Sequence, residues 1–492
     1  MSEVEPCSFG ARVHALGAER PSAEALRFVA VDGTEHVLTW SELDARSSQI
    51  ARAMADRGVG PPSTGSGDRV AIALQNSPEL VASVLAAWKL GAVPVPVRWD
   101  LPAWEQQRVL DVIAGALVIG PDDLGWLQAT TSLDASPLPA VVSPQTHGIC
   151  SSGSTGTPKV ILTERPALFD ETVGQPFPSG WMDVPRPQRM LVPTQLYHTN
   201  GFATMHNLLA GDQLILLERF DARKVVDLIE RLRITTFTAT PTMLQRIADL
   251  PDIDARDLSS IEWILQGAAV IPPSLVHRWF DLVGAEHFFM AYGMTEGLGL
   301  AAVRGDEWLA RPGTVGQGYR ETEIRILDAA GDDVPVGELG EIYLRSPTNG
   351  MYRYLGGAPL LPTTPDGFGS AGDVGRLDDD GFLYIVDRRV DMIVTGGANV
   401  YPAEVESALI DHPAVADVVV VGLADPEWGR RVHAIVEPAD PASPPTPDDI
   451  ITFAKTRVAS YKAPKTVELV DRIPRSEATK VNRAALIATR GG

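Results

Sequence analysis

The stretch RVAIALQNSPELVASVLAAWKLGAVPVPV at 69–97 decides the fold class. RVAIAL is a short, mostly apolar run of strand length, Ser77 can cap a helix with Pro78 in its first position, and Gly91 can close that helix. AVPVPV follows as a second buried strand, a helical stretch at 102–114 comes next, and LVIG at 117–120 reads as a third strand. Strands and helices that alternate in this way predict a parallel sheet and an α/β architecture.

Working outward, 221–233 places Val225, Val226, Leu228, Ile229 and Leu232 at helical spacing, and ITTFTA after it is rich in strand formers. A second α/β-layered sheet is expected there. From Gly313 the texture changes to short strands and turns (EIRILD, GDD, GEIYLR), which predicts a small β-barrel-like subdomain. VADVVVVG at 415–422 is another strand, and EPADPASPPTPDD at 437–449 reads as a loop, because its prolines and acids cannot pair in a sheet. The expected organisation is a large N-terminal domain at 1–387 and a small, mobile α+β domain at 388–492.

The chain has 492 residues with a net charge of -21, so most of its exterior repels nucleic acid and anionic lipid surfaces. A nucleotide pocket remains compatible, since local amides, a lysine or a metal can overcome that field. Cys7 and Cys150 give neither a disulfide framework nor metal-ligand spacing, which points to the cytoplasm. The start lacks a basic stretch followed by an apolar one, and the richest apolar run, 80–97, is broken by Lys89, Gly91 and two prolines, so neither a signal peptide nor a membrane span is expected.

SSGSTGTPK at 151–159 packs hydroxyls, two glycines and a lysine into nine residues, a composition suited to wrapping phosphate oxygens. It is not a Walker loop: two residues separate Gly153 from Gly156, and Pro158 precedes Lys159. A flexible Ser/Gly linker is the plain alternative, but a linker has no need of the Thr-Pro-Lys ending.

At this loop the sequence resembles the superfamily of acyl-CoA synthetases, peptide-synthetase adenylation domains and beetle luciferases, and the likeness covers almost the whole chain. AYGMTE (291–296), SAGDVG (370–375), DRRVDMIVTGGANVYPAEVE (387–406) and PRSEATKVNR (474–483) are similar to the family's later motifs, in the family's order. The resemblance implies ATP-dependent activation of a small carboxylic acid as acyl-AMP, with Mg²⁺, followed by thioester formation with CoA. It implies that Ser151, Ser152, Gly153, Ser154, Thr155, Gly156, Thr157 and Lys159 hold the departing phosphates, that Glu296 binds Mg²⁺, and that Thr295 contacts the α-phosphate. Tyr292 and Gly293 on one side and Gly267, Ala268 and Ala269 on the other would border the adenine, while Asp373 and Arg388 would serve the ribose. Lys480 would bridge the carboxylate and α-phosphate as the first catalytic residue, and Gly397 matches the loop beside the pantetheine tunnel.

QLYHTNG at 195–201 is similar to the family segment that borders the acyl pocket, which makes His198 a pocket residue, although a lone histidine is more often structural. Nothing acidic occurs between Val192 and Ala210 to pair with an α-amine, so an aryl or medium-sized apolar acid is expected rather than an amino acid. Two residues depart from the family pattern: Val390 stands where the pivot is commonly Asp or Lys, with Asp391 next to it, and Thr479 replaces the glycine before the lysine. These departures keep open a different acceptor, namely a carrier protein, an amine, or the nitrite of a diazotase-type enzyme. A non-catalytic nucleotide-binding scaffold is the third reading.

Overall fold

The structure is a computed structural model and describes residues 5–60, 68–151, 159–347, 349–388, 391–395, 398–425, 428–475 and 481–491. By packing, the chain divides into two units, one comprising 1–312 with 348–360 and the other 313–347 with 361–492.

In the first unit the opening stretch folds as strand Arg69–Ile72, helix Pro78–Lys89 and strand Val93–Pro96. The Ser77 hydroxyl accepts from the Leu80 amide at 3.2 Å, and Gly91 takes the left-handed conformation (φ 71°) that turns the chain into the next strand. Both strands are parallel, with Leu117–Ile119 on the other side of the first, and the helix expected at 102–114 is Ala103–Ile113. Against this sheet packs the antiparallel hairpin of His147–Ser151 and Lys159–Thr163, extended by the distant strand Tyr352–Leu355. Val93, Val95, Val160, Leu162 and Leu355 fill the space between them.

The second sheet is mostly parallel, in the spatial order Phe288–Gly293, Trp263–Gln266, Thr236–Ala239, Arg189–Val192, Gln213–Leu217, Glu24–Val29. Leu300–Arg304 pairs antiparallel with Phe288–Gly293, and Glu35–Thr39 antiparallel with Glu24–Val29. The helix expected at 221–233 is Ala222–Leu232; the Asp221 carboxylate caps it at 2.9 Å from the Lys224 amide. After Arg189–Val192 the chain visits Gln213–Leu217 on one side and then Thr236–Ala239 on the other. In α/β sheets such a reversal marks where ligands bind, beyond the carboxyl ends of the strands.

The second unit contains the expected β subdomain, an antiparallel sheet of Glu323–Leu327, Gly340–Arg345, Gly369–Leu377 and Leu383–Arg388. Beyond it, Val415–Asp425 pairs antiparallel with Gly429–Pro438, which pairs parallel with Thr466–Leu469, and helices Pro402–Leu409 and Pro447–Arg457 complete an α+β core. The loop expected at 437–449 is shorter than its composition suggested. Glu437 and Pro438 end a strand, and Pro447 starts a helix that Thr446 caps through a reciprocal bond with Asp449. Among the described residues both cysteines are free, and no helix is long and apolar enough to cross a membrane.

An aromatic cluster centres the first unit's core: Phe9 meets the Trp88 edge at 4.9 Å between centroids, and His147 lies 4.6 Å from Phe202. Burial, reinforced by His206, pushes the His147 imidazole down to about 3; burial with Arg165 nearby pushes His206 down to about 4. Both bind their proton more readily in the unfolded chain, so the stability of their neutral forms is complete above about pH 6.5 and is lost as the pH falls towards 4. The loss at pH 5 should be on the order of 1–2 kcal/mol per imidazole, read as a fall in the urea midpoint between pH 7 and pH 5. His147→Phe should show a smaller fall than the wild type.

Candidate active site

Three segments meet at the carboxyl edge of the second sheet. The first, 194–201, follows Arg189–Val192 and is held by Asn76, whose buried amide donates to the Thr194 and Leu217 carbonyls, both at 3.0 Å, and accepts from the Leu196 amide at 3.0 Å. Only glycine fits at 201, because a Cβ there would stand 2.1 Å from the Gln195 carbonyl oxygen. His198 directly precedes helix Thr199–Leu209, and its ring lies 4.5 Å from that of the buried Tyr197.

The second segment is 267–269, immediately after Trp263–Gln266. Ala268 takes a left-handed φ of 82°, and the Gln266 amide donates to the Ala269 carbonyl at 2.7 Å, which fixes this short turn. Gly267 faces Asn200: a Cβ added there would lie 3.6 Å from the Asn200 Nδ2.

Tyr292 and Gly293 end the strand Phe288–Gly293, and the turn after it carries the third segment. The Gly297 amide donates to the Met294 carbonyl at 3.0 Å, with Gly297 left-handed (φ 68°), so Thr295 and Glu296 sit at the tip of a tight hairpin. Thr295 shares a 2.7 Å hydroxyl hydrogen bond with Thr199, which joins the first and third segments. His198, Gly267 and the pair Tyr292 and Thr295, from three separate segments of sequence, are thus brought to one edge.

Lys159 begins the strand that pairs with Ser151, so the loop between them closes a hairpin; 152–158, with Ser152, Gly153, Ser154, Thr155, Gly156 and Thr157, lies outside the described residues. The Lys159 Nζ stands 4.9 Å from the centre of the Tyr354 ring, and the Tyr354 hydroxyl donates to Glu296 Oε1 at 2.7 Å. Burial, aided by the Glu296 carboxylate, raises the Tyr354 phenol well above its ordinary range. Among the described residues Glu296 Oε2 carries no hydrogen bond, and no group of three or more His, Cys, Asp or Glu could enclose a metal. One open carboxylate oxygen suits Mg²⁺, which binds through one or two carboxylates together with substrate phosphates.

In the second unit Asp373 lies inside a strand rather than a turn, and its ladder partner is Arg388, so the backbone sets the two expected ribose residues opposite each other. Gly397 and Lys480 lie outside the described residues, as do Val390 and Thr479. The chain on either side of 476–480 is firmly tied. Arg475 makes two 2.6 Å bonds to Asp417 and bridges to Val481; Arg483 holds Glu406 at 2.7 and 2.8 Å and Asp391 at 3.2 Å. Asn76, Tyr354 and Arg483 were missed from sequence. Only Arg483 carried a signal there, three residues after Lys480 in the quoted motif.

The sequence profile of AMP-binding enzymes matches residues 13–355, and that of the AMP-binding enzyme C-terminal domain matches 404–480. The chain is 34% identical over 481 residues to a feruloyl-CoA synthase of an Amycolatopsis species, covering 94% of each. It is 33% identical over 489 residues to the fatty acid–[acyl-carrier-protein] ligase ScoC of Streptomyces coeruleorubidus, covering 91% of each. Its structure is similar to that of the o-succinylbenzoate CoA synthetase of Bacillus subtilis in complex with its acyl-adenylate intermediate, with a TM-score of 0.83, 26% identity and 98% of each chain covered.

Asn76→Ala leaves two carbonyls and one amide buried without their partner. It should lower stability by about 3 kcal/mol in urea unfolding, the penalty for orphaned buried polar groups. Asn76→Asp keeps the acceptor but loses both donors, and should fall between the two.

Proposed function

The chain belongs to the AMP-binding enzyme family, and from that premise we propose that it activates a carboxylic acid with ATP as an acyl adenylate and passes the acyl group to CoA. The observation that carries this reading is the meeting of 194–201, 267–269 and 291–296 at one sheet edge, with Lys159, Tyr354 and Glu296 linked beside it.

In this reading a carboxylate oxygen of the acid attacks the α-phosphorus, the bond to the bridging oxygen breaks, and pyrophosphate leaves. Ser151, Ser152, Gly153, Ser154, Thr155, Gly156, Thr157 and Lys159 hold the leaving phosphates. Glu296 holds Mg²⁺, which when bound neutralises phosphate charge. Thr295 contacts the α-phosphate; the Thr199 hydroxyl bond fixes its rotamer. Tyr292 and Gly293 face one side of the adenine and Gly267, Ala268 and Ala269 the other. Asp373 accepts from the ribose hydroxyls, with Arg388 beside it on the ladder. Lys480 neutralises the charge that develops between the two anions. We further propose that the mobile domain begins at 388 and that Gly397 borders the path of the CoA thiol.

His198 borders the acyl pocket. We propose that the uncharged Gln266, Ala291 and Leu298 border the same pocket, and with the absence of acids over 192–210 this supports an aryl or medium-sized apolar acid. The feruloyl-CoA synthase likeness supports the aryl choice and CoA as acceptor. The likeness to an acyl-carrier-protein ligase gives a second acceptor standing, a carrier thiol in place of CoA.

Two measurements test the reading. Exchange of labelled pyrophosphate into ATP should depend on added acid, and Lys480→Ala should reduce it by roughly 100-fold or more; exchange without acid, or unchanged in the variant, would overturn the proposal. Across a panel of aryl and aliphatic acids, AMP release should match loss of CoA thiol one for one. AMP formed without thiol loss would transfer the second step to another acceptor.

A further inference from the structure

Tyr354 has no place in the motifs that define the site, yet it touches the functional groups of two of them. It comes from an unusual course of the chain. Residues 313–347 and 361–492 pack as one unit, while 348–360 between them pack with the other. This excursion supplies the strand Tyr352–Leu355, which pairs with Lys159–Thr163 in the register Leu355 to Val160 and Tyr354 to Ile161. The phenol is 7% exposed as a residue, lies edge-on to Tyr352 at 5.4 Å between centroids, and ends against Glu296.

Resting on the reading that Glu296 holds Mg²⁺ and Lys159 holds phosphate, we propose that Tyr354 is a positioning residue that keeps these two groups apart and aims each at its own part of Mg·ATP. Lys159 and Glu296 are oppositely charged, and neither forms an ion pair among the described residues. Both groups contact the same side chain, the ammonium over the ring face and the carboxylate at the hydroxyl. Without the ring, the simplest way for the pair to lower its energy is to close into a direct salt bridge, which would withdraw the lysine from phosphate and the carboxylate from metal.

The two contacts have different tasks. Glu296 stands at a hairpin tip with three side-chain torsions, and a hydrogen bond from a buried phenol at 2.7 Å selects one carboxylate orientation while leaving Oε2 open. The ring face holds the Lys159 ammonium by its quadrupole and offers no acceptor that could compete with a phosphate oxygen. Phenylalanine at 354 should therefore remove only the first task, and leucine both.

The test is calorimetric titration of ATP into the protein without acid substrate, once with Mg²⁺ and once with chelator. Tyr354→Phe should weaken Mg·ATP binding about 5- to 10-fold, roughly the worth of one charge-assisted hydrogen bond, and leave metal-free ATP unchanged. Tyr354→Leu should weaken both. Glu296→Gln separates this inference from the reading beneath it: it should abolish the gain in affinity that Mg²⁺ gives to the wild type. If Glu296→Gln keeps that gain, the metal role of Glu296 fails, and the inference with it. If Glu296→Gln loses the gain but Tyr354→Phe behaves as wild type, the metal role stands and the inference is overturned. Equal weakening of both ligands by Tyr354→Phe would also overturn it, since a merely structural role acts that way. A further measurement needs no variant at 354: adding Mg²⁺ to the wild-type ATP complex should give a tyrosine ultraviolet difference signal that Glu296→Gln lacks, and its presence in Glu296→Gln would count against the inference.

Discussion

The buried side-chain amide of Asn76 sets the geometry on which the nucleotide edge depends. A chain leaving a parallel strand at a reversal in strand order has no ladder to guide it, and its backbone groups must find partners elsewhere. Here one amide meets three of them, two carbonyls and one N–H, from the segments that leave Arg189–Val192 and Gln213–Leu217. Asn76 itself lies between the strand Arg69–Ile72 and the Pro78–Lys89 helix, so it carries the position of one sheet to the exit of the other. Just beyond Leu196 the chain enters Thr199–Leu209, where Gly201 packs against the Gln195 carbonyl, and the first turn of that helix meets both Thr295 and Gly267. A shift of the exit would move all three segments.

Charge imposes a second constraint. An acidic protein that binds a polyanion must keep its useful cations out of the salt bridges that its carboxylates offer. Many of the described cations are so engaged: Arg256 alone meets Asp227, Glu230 and Asp252, and Lys89 is buried against Asp44 and Ser48. Lys159 differs from these, since its described contact is an aromatic face. A quadrupole holds a cation without neutralising it, so the charge remains available to a phosphate.

What could be read from the sequence follows the range of each signal. Ser77 with Pro78, Asp221 and Gly91 act within a few residues, and their helices begin and end where local chemistry places them. The motif residues were legible because they occur in one order along the chain. Asn76 and Tyr354 were not, because their partners are far away: Asn76 reaches Leu217, and Tyr354 reaches Glu296 and a strand that begins at Lys159. An asparagine before a helix cap and a tyrosine in an alternating run have ordinary local readings. The 437–449 loop failed in the other direction, since proline at a first helical position was read only as a breaker.

The departures near the hinge take on a different weight beside the Arg483 contacts. Val390 narrows backbone freedom at the usual pivot, but Asp391 is engaged, at 3.2 Å, by an arginine three residues beyond Lys480. Arg483 holds Glu406 with two shorter bonds, and Arg475 holds Asp417 with two more; Glu406 and Asp417 lie inside the span that matches the C-terminal domain profile. The chain on both sides of 476–480 is therefore bound to that domain by bidentate pairs, which resist shear better than single contacts. The single, longer bond to Asp391 is the one contact of this set that reaches back to the 387–406 motif.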